Sequence, residues 1–129
     1  MKGECTMEKE KIHAYCLQLH ATTHDYKEEW QADRYHIGEK MYAMIGGDGK
    51  GRPVLTLKCE PARAEVLRES YDSIIPGYYM NKSHWNSIYM DATDVSMDLV
   101  EQLIQHSYEL VFSKLTKKVQ KEIGLKETN

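Results

Sequence analysis

The sequence predicts an α+β domain in which an antiparallel β-sheet carries helices on one face. Three observations predict it: helical apolar spacing near the start, strand-like segments joined by a short glycine turn, and a long helical apolar stripe near the end. Strands joined by a tight turn are antiparallel, because a parallel pair needs a crossover of a dozen or more residues. Helices outside such a sheet bury their apolar stripes against it, which gives two layers.

The first half of the chain is predicted to contain one helix followed by three strands. The helix covers residues 7–21, and the polar stretch 22–33 stays unassigned because it shows no period. Strands follow at 34–37 and 40–45, and a turn with four glycines leads to a strand at 54–59. The helix stripe consists of Ile12, Tyr15, Cys16 and Leu19. In the last strand, the alternation predicts that Leu55, Leu57 and Cys59 are buried, and that Thr56 and Lys58 face water.

The second half is predicted to contain a short helix, one more strand and a long helix. Pro61 suits the first position of the short helix, which ends near residues 70–72. Pro76 and Gly77 form a turn before a strand at 85–90. Ser96 can cap a helix that runs to about residue 115, and a further helical segment covers 117–123. The stripe of the long helix comprises Met97, Val100, Leu103, Ile104, Tyr108, Val111, Phe112 and Leu115.

Composition limits the function classes. With 129 residues, 41% hydrophobic and 29% charged, the chain is long and apolar enough for one domain with its own core. The net charge of −3 argues against a basic nucleic-acid coat, although residues 111–129 carry +3. The sequence shows no apolar run of membrane length, and we expect no secretory signal because its first residues have no apolar core. Three scattered cysteines favour a reducing compartment, so a cytoplasmic location is expected.

Four segments of the chain resemble one protein family. They are residues 38–44, 55–61, 75–86 and 106–111, the last followed by Lys114 and Leu115. In this order and spacing they resemble the MmcQ/YjbR family over about residues 11–123. The resemblance implies one domain over residues 1–129, with its core at about 7–123 and a frataxin-like (CyaY-like) topology. It also implies the double-wing DNA-binding function attributed to that family.

Eight residues are candidate nucleic-acid contacts. Cations in a hairpin can reach phosphates, and amides near a turn can bond base edges or the backbone. Trp85, beside them, is able to stack on a base, but it is favoured as a core anchor, and end-of-helix lysines also suit the helix dipole. The expected partner is double-stranded DNA, bound weakly and in a salt-dependent manner. The candidates are Lys50, Arg52, Lys58, Asn81, Lys82, His84, Asn86 and Lys114.

The alternative function is a protein-interaction or small-ligand module without DNA binding. It would use the exposed sheet face, to which Tyr42, Met44, Lys58 and Tyr89 could contribute. The acidic isoelectric point, near 6.1, favours this alternative, whereas the locally grouped lysines favour DNA.

Catalytic and metal-binding patterns are weak. No nucleophile or zinc-hydrolase motif is present, and His84 and His106 remain only as conceivable proton carriers. Four residues that could be metal ligands follow one another at intervals of 3, 4 and 4 residues, but one of them belongs to the apolar stripe of the helix. We therefore predict no enzyme, no metal and no cofactor. The four residues are His13, Cys16, His20 and His24.

Overall fold

A computed structural model describes residues 8–77 and 80–124 of the chain. Within them, four helices pack on a six-stranded antiparallel sheet, which is the predicted α+β class with two more strands than expected. The helices are α1 Lys9–Gln18, α2 Pro61–Ser70, α3 Met97–Lys114 and α4 Lys117–Ile123. The strands are β1 Thr23–Lys27, β2 Ala32–Ile37, β3 Lys40–Gly47, β4 Pro53–Lys58, β5 Ile74–Pro76 and β6 Trp85–Tyr89.

The sheet order is β1-β2-β3-β4-β6-β5. Every neighbouring pair is antiparallel, so chain direction alternates across the sheet. Strand β6 comes from the second half of the chain and inserts between β4 and β5. This order places the turn before β6 next to the end of β4.

The main core lies between the sheet and the helices. Ile12 of α1 and Ile104 of α3 are buried in one cluster with Leu55 and Leu57 of β4. The predicted cap is present: the Ser96 hydroxyl accepts a hydrogen bond from the Leu99 amide at 3.1 Å. Helices α1 and α3 therefore share one face of the sheet, as their apolar stripes predicted.

The prediction that Thr56 faces water is wrong. Thr56 does point away from the helix-side core, but it is fully buried, and so is its neighbour Val54. Its hydroxyl lies 2.7 Å from that of Ser87, the residue opposite it in β6. A polar side chain can be buried in this way because a hydroxyl that finds a partner avoids the cost of desolvation. Lys58 on the same face is partly exposed.

Two strands lie where none was predicted. Strand β1 occupies part of the unassigned stretch, and four of its five residues are exposed. It is an edge strand that pairs only with β2, so it lacks the apolar alternation that signals a half-buried strand. Strand β5 has three residues and ends at Pro76, where a turn was expected. Proline is tolerated there because β5 is the other edge of the sheet.

A serine from α3 repairs an irregularity in the sheet. Tyr35 pairs with Ala43 and His36 pairs with Met41, which leaves Tyr42 as an extra residue in β3. The buried hydroxyl of Ser107 donates to the Tyr42 carbonyl at 2.5 Å and accepts from the Lys58 amide at 2.9 Å. It therefore bridges β3 and β4 where their own pairing stops.

Candidate functional site

The antiparallel order collects charged residues of opposite sign at the two ends of the strands. One end holds the β2–β3 turn, the end of β4, the turn before β6 and the α3–α4 junction. The junction belongs there because a Cβ on Gly38 would lie 2.6 Å from the side chain of Leu115. We call this the lysine end. It comprises residues 38–40, 58–60, 81–84 and 114–118.

The lysine end carries six lysines and two glutamates. Within the described ranges, the ammonium groups of Lys40, Lys58 and Lys82 form no ion pair. Lys58 lies over the Trp85 ring at 5.7 Å, and Lys82 donates to the Gly77 carbonyl at 3.1 Å. Positive charge not neutralised by a neighbouring carboxylate is what attracts an anionic ligand.

The turn before β6 is built by its own side chains. The side-chain oxygen of Asn81 accepts a hydrogen bond from the Ser83 amide at 2.9 Å, and the backbone carbonyl of Asn81 accepts one from the His84 amide at 3.1 Å. Asn81, Lys82 and His84 are all exposed. The Asn81 amide therefore shapes the turn, while Lys82 and His84 present their side chains to solvent.

Asn86 lies in the interior of the molecule. Its side-chain oxygen accepts from Arg68 at 2.7 Å, and its side-chain nitrogen donates to the Ala64 carbonyl at 3.3 Å. Both partners belong to α2, and the side chain is buried. This amide positions α2 against β6, so its polar atoms are already used within the protein.

Trp85 is largely buried, as predicted, with 8% of its surface exposed. It lies on the sheet face away from the helices, because it pairs with Lys58 in register. Gly77 packs so closely on it that an added Cβ would lie 2.6 Å from the Trp85 Cβ. Gly77 therefore packs on the Cβ and backbone of Trp85, and a lysine lies over the face of the ring.

The opposite end of the sheet is acidic. It comprises residues 28–31, 48–52, 72–73 and 91–94, and carries six carboxylates against Lys50 and Arg52. We call it the acidic end. Strand β4 separates the two ends by about 17 Å, at roughly 3.4 Å per residue.

Two of the predicted contact residues lie at the acidic end. Arg52 pairs with Asp91 at 2.9 Å and stacks on the Tyr89 ring at 3.7 Å. The Asp48 carboxylate accepts from the amides of Lys50 and Arg52, and these bonds hold its pKa below the usual value. The hydrogen bond from Arg52 likewise lowers the pKa of Asp91. Both carboxylates therefore stay ionised at neutral pH. An anionic ligand would have to compete with them for Lys50 and Arg52.

Seven of the eight predicted residues lie at the ends of the strands. The lysine end holds Lys58, Asn81, Lys82, His84 and Lys114, the acidic end holds Lys50 and Arg52, and Asn86 is buried between β6 and α2. Sequence reasoning missed that Lys40, Lys117 and Lys118 also lie at the lysine end. The basic segment 111–129 already groups Lys117 and Lys118 with Lys114, but only the strand order brings this segment and Lys40 near Lys58.

Two of the four residues expected on an exposed, ligand-binding sheet face are buried. Tyr42 is fully buried on the helix side, where its hydroxyl donates to the Cys16 carbonyl at 3.3 Å. Met44 is only 2% exposed. Lys58 and Tyr89 remain partly exposed, each in contact with a partner on that face.

The histidines near α1 have protein partners. His13 lies 2.8 Å from the Tyr35 hydroxyl, and His24 lies 2.8 Å from Asp33. Burial raises the pKa of the Cys16 thiol to about 12, so this thiol stays protonated. Over residues 8–77 and 80–124, no group of three or more His, Cys, Asp or Glu side chains could hold a metal ion.

None of the helices among the described residues is long and apolar enough to cross a membrane.

Comparisons with known proteins agree on one family. A family model described as YjbR matches residues 17–110. The chain is 37% identical over 91 residues to YbdF of Escherichia coli, covering 70% of this chain and 73% of that protein. It is 32% identical over 115 residues to YyaQ of Bacillus subtilis, covering 79% and 96% of the two chains.

A solved structure shares the fold. It is a Deinococcus radiodurans protein with a DUF419 domain, similar with a TM-score of 0.82 and 29% identity over 94% of this chain and 91% of that one. A Pseudomonas syringae protein is similar with a TM-score of 0.71 and 22% identity, covering 81% and 98% of the two chains.

Proposed function

We propose that this chain, which belongs to the YjbR family, is a nucleic-acid-binding module that contacts the phosphate backbone through its lysine end. The observation that carries the proposal is the separation of charge along the strands. Six lysines meet two glutamates at one end, and the opposite balance holds at the other. A chain with net charge −3 can approach a polyanion only through such a local surface.

The chemistry of the lysine end favours backbone contact over base recognition. Lysine is a flexible point charge that suits phosphate without fixing a base sequence. The amide of Asn86, which could have read a base edge, is buried and bonded to α2. The acidic end is repelled by phosphate and fixes the direction of approach. Binding is therefore expected to be weak and insensitive to sequence.

Salt dependence follows from the number of contacts. Each lysine that neutralises a phosphate lowers log K by about 0.9 per decade of salt. Lys40, Lys58, Lys82 and Lys114 can supply about four such contacts. A dissociation constant near the weak end of 10⁻⁴–10⁻⁶ M is expected at physiological salt, with much tighter binding at low salt.

Fluorescence anisotropy with a random-sequence DNA duplex, at low and moderate salt, tests the proposal. Lys82→Glu should weaken binding severalfold. Lys50→Glu is the matched control, since it makes the same change of charge at the acidic end, and it should leave affinity nearly unchanged. Equal effects of the two variants would refute the placement at the lysine end. Absence of binding even at low salt would refute nucleic-acid binding itself.

A further inference from the structure

Helices α1, α2 and α3 meet around a cleft that lies apart from the lysine end. The cleft has a volume of about 490 Å³, which is within the range of sites that hold small molecules. Tyr15 of α1 and Arg63 of α2 line it, and the rest of the lining comes from α3, between Asp98 and Glu109. None of these residues belongs to the ranges that define the lysine end. The cleft is therefore a separate candidate site.

The lining of the cleft is charged. It contains one guanidinium, that of Arg63, and three carboxylates, those of Asp98, Glu101 and Glu109. Arg63 and Glu101 are half-buried, and neither forms an ion pair with another residue of the ranges 8–77 and 80–124. Water and salt screen half-buried charges less than fully solvated ones. Charges of both signs are thus available to a ligand, and the negative sign is in excess.

The two signs of charge lie near different helices. Burial raises the pKa of the Tyr15 hydroxyl on α1, and the nearby carboxylate of Glu101 raises it further. Burial lowers the pKa of the His106 imidazole, and the nearby guanidinium of Arg63 lowers it further. Negative charge therefore lies toward α1 and positive charge toward α2. A ligand that carries opposite charges at its two ends has one preferred orientation in such a cleft.

His106 adds a polar atom that has no partner. Its Nε2 atom is buried and forms no hydrogen bond within the described part of the chain. Buried polar atoms of native proteins are nearly always bonded, so this exception needs an explanation. The lowered pKa keeps the imidazole neutral at pH 7, and in the tautomer protonated on Nδ1 its Nε2 atom accepts hydrogen bonds. An ammonium group that reaches the imidazole supplies the missing donor.

We propose that the cleft between α1, α2 and α3 binds a free basic amino acid. The carboxylate of the ligand pairs with Arg63, its α-ammonium group donates to His106, and the cation of its side chain lies against Glu101. The net positive charge of such a ligand complements the excess of carboxylates in the lining. A neutral or acidic amino acid lacks the second cation and leaves Glu101 unpaired. This site does not depend on nucleic-acid binding.

Titration of the ¹⁵N-labelled wild-type protein with L-lysine at millimolar concentrations, followed by ¹⁵N–¹H NMR, tests the proposal. The backbone amides of Arg63, Gln105 and His106 should shift saturably, whereas that of Lys82 at the lysine end should stay in place. Two further compounds each lack one of the proposed contacts. Cadaverine is lysine without its carboxylate, and L-glutamate lacks the second ammonium group. Each should bind about tenfold more weakly than L-lysine, the size of one lost charged hydrogen bond.

Two variants assign the two ends of the ligand. Arg63→Gln should weaken L-lysine binding about three- to tenfold and should not weaken cadaverine binding, since cadaverine has no carboxylate for the guanidinium. Glu101→Gln should weaken the binding of both compounds. Glu65→Gln is the matched control, because it removes an exposed carboxylate of α2 that does not line the cleft, and it should have little effect. The proposal is overturned if the cleft amides do not shift, if cadaverine or L-glutamate binds as tightly as L-lysine, or if Glu101→Gln and Glu65→Gln have equal effects.

Discussion

Replacing Ser107 with alanine should destabilise the protein more than a buried serine usually would. The hydroxyl bonds both the Tyr42 carbonyl and the Lys58 amide, where the β3–β4 pairing is interrupted. Ser107 is fully buried, so alanine leaves two backbone groups unpaired. An unpaired buried polar group costs about 1–3 kcal/mol, and we expect a total loss of about 2–4 kcal/mol. This is a large fraction of the roughly 5–15 kcal/mol that holds a domain folded.

Urea denaturation followed by circular dichroism measures this loss. Ser113→Ala is the matched control, because that exposed serine on the same helix bonds only the Leu110 carbonyl. It should change the free energy of unfolding by less than about 0.5 kcal/mol. The midpoint for Ser107→Ala should fall while the urea slope stays constant, since the surface exposed on unfolding does not change. Equal stability of the two variants would mean that the serine does not support the sheet.

Two further predictions concern stability. Trp85→Ala should cost about 3–5 kcal/mol, because it removes an indole ring that is buried in the folded protein; an unchanged melting temperature would contradict this. Burial, with Arg63 nearby, holds the pKa of His106 below its usual value. Protonating the His106 imidazole therefore costs more in the folded state than in the unfolded state. Its contribution to stability is present above about pH 6.5 and is lost as the pH falls through the lower folded-state pKa. His106→Gln should therefore lose less stability than the wild type between pH 7.5 and 5.5 in urea titrations; identical losses would show that His106 does not contribute.

The fold could be predicted where burial leaves a period in the sequence. The stripe of α3 and the alternation in β4 placed the helices on one sheet face, because their side chains repeat with the geometry of the core. The edge strand β1 escaped prediction because it is exposed on nearly every residue. The burial of Thr56 was not predicted, because its partner Ser87 is 31 residues away in the sequence and becomes its neighbour only when β6 pairs with β4.

The candidate site was harder to predict because it depends on long-range order. Lys50 and Lys58 are close in sequence, yet they lie at opposite ends of β4. Lys40 and Lys118 are far apart in sequence and lie at the same end. Which charged residues share one surface can be seen only after the order and the chain directions of all six strands are known.

The separation of charge has a consequence for how the molecule meets any partner. With an excess of about four positive charges at one end and four negative at the other, the domain is a strong electric dipole despite a net charge of only −3. In the field of a charged polymer it experiences a torque before contact. This torque turns one end toward the partner once the two are within about a Debye length, roughly 8 Å at physiological salt. The domain is then already oriented when it reaches the partner, and fewer collisions bring the wrong end of the sheet into contact.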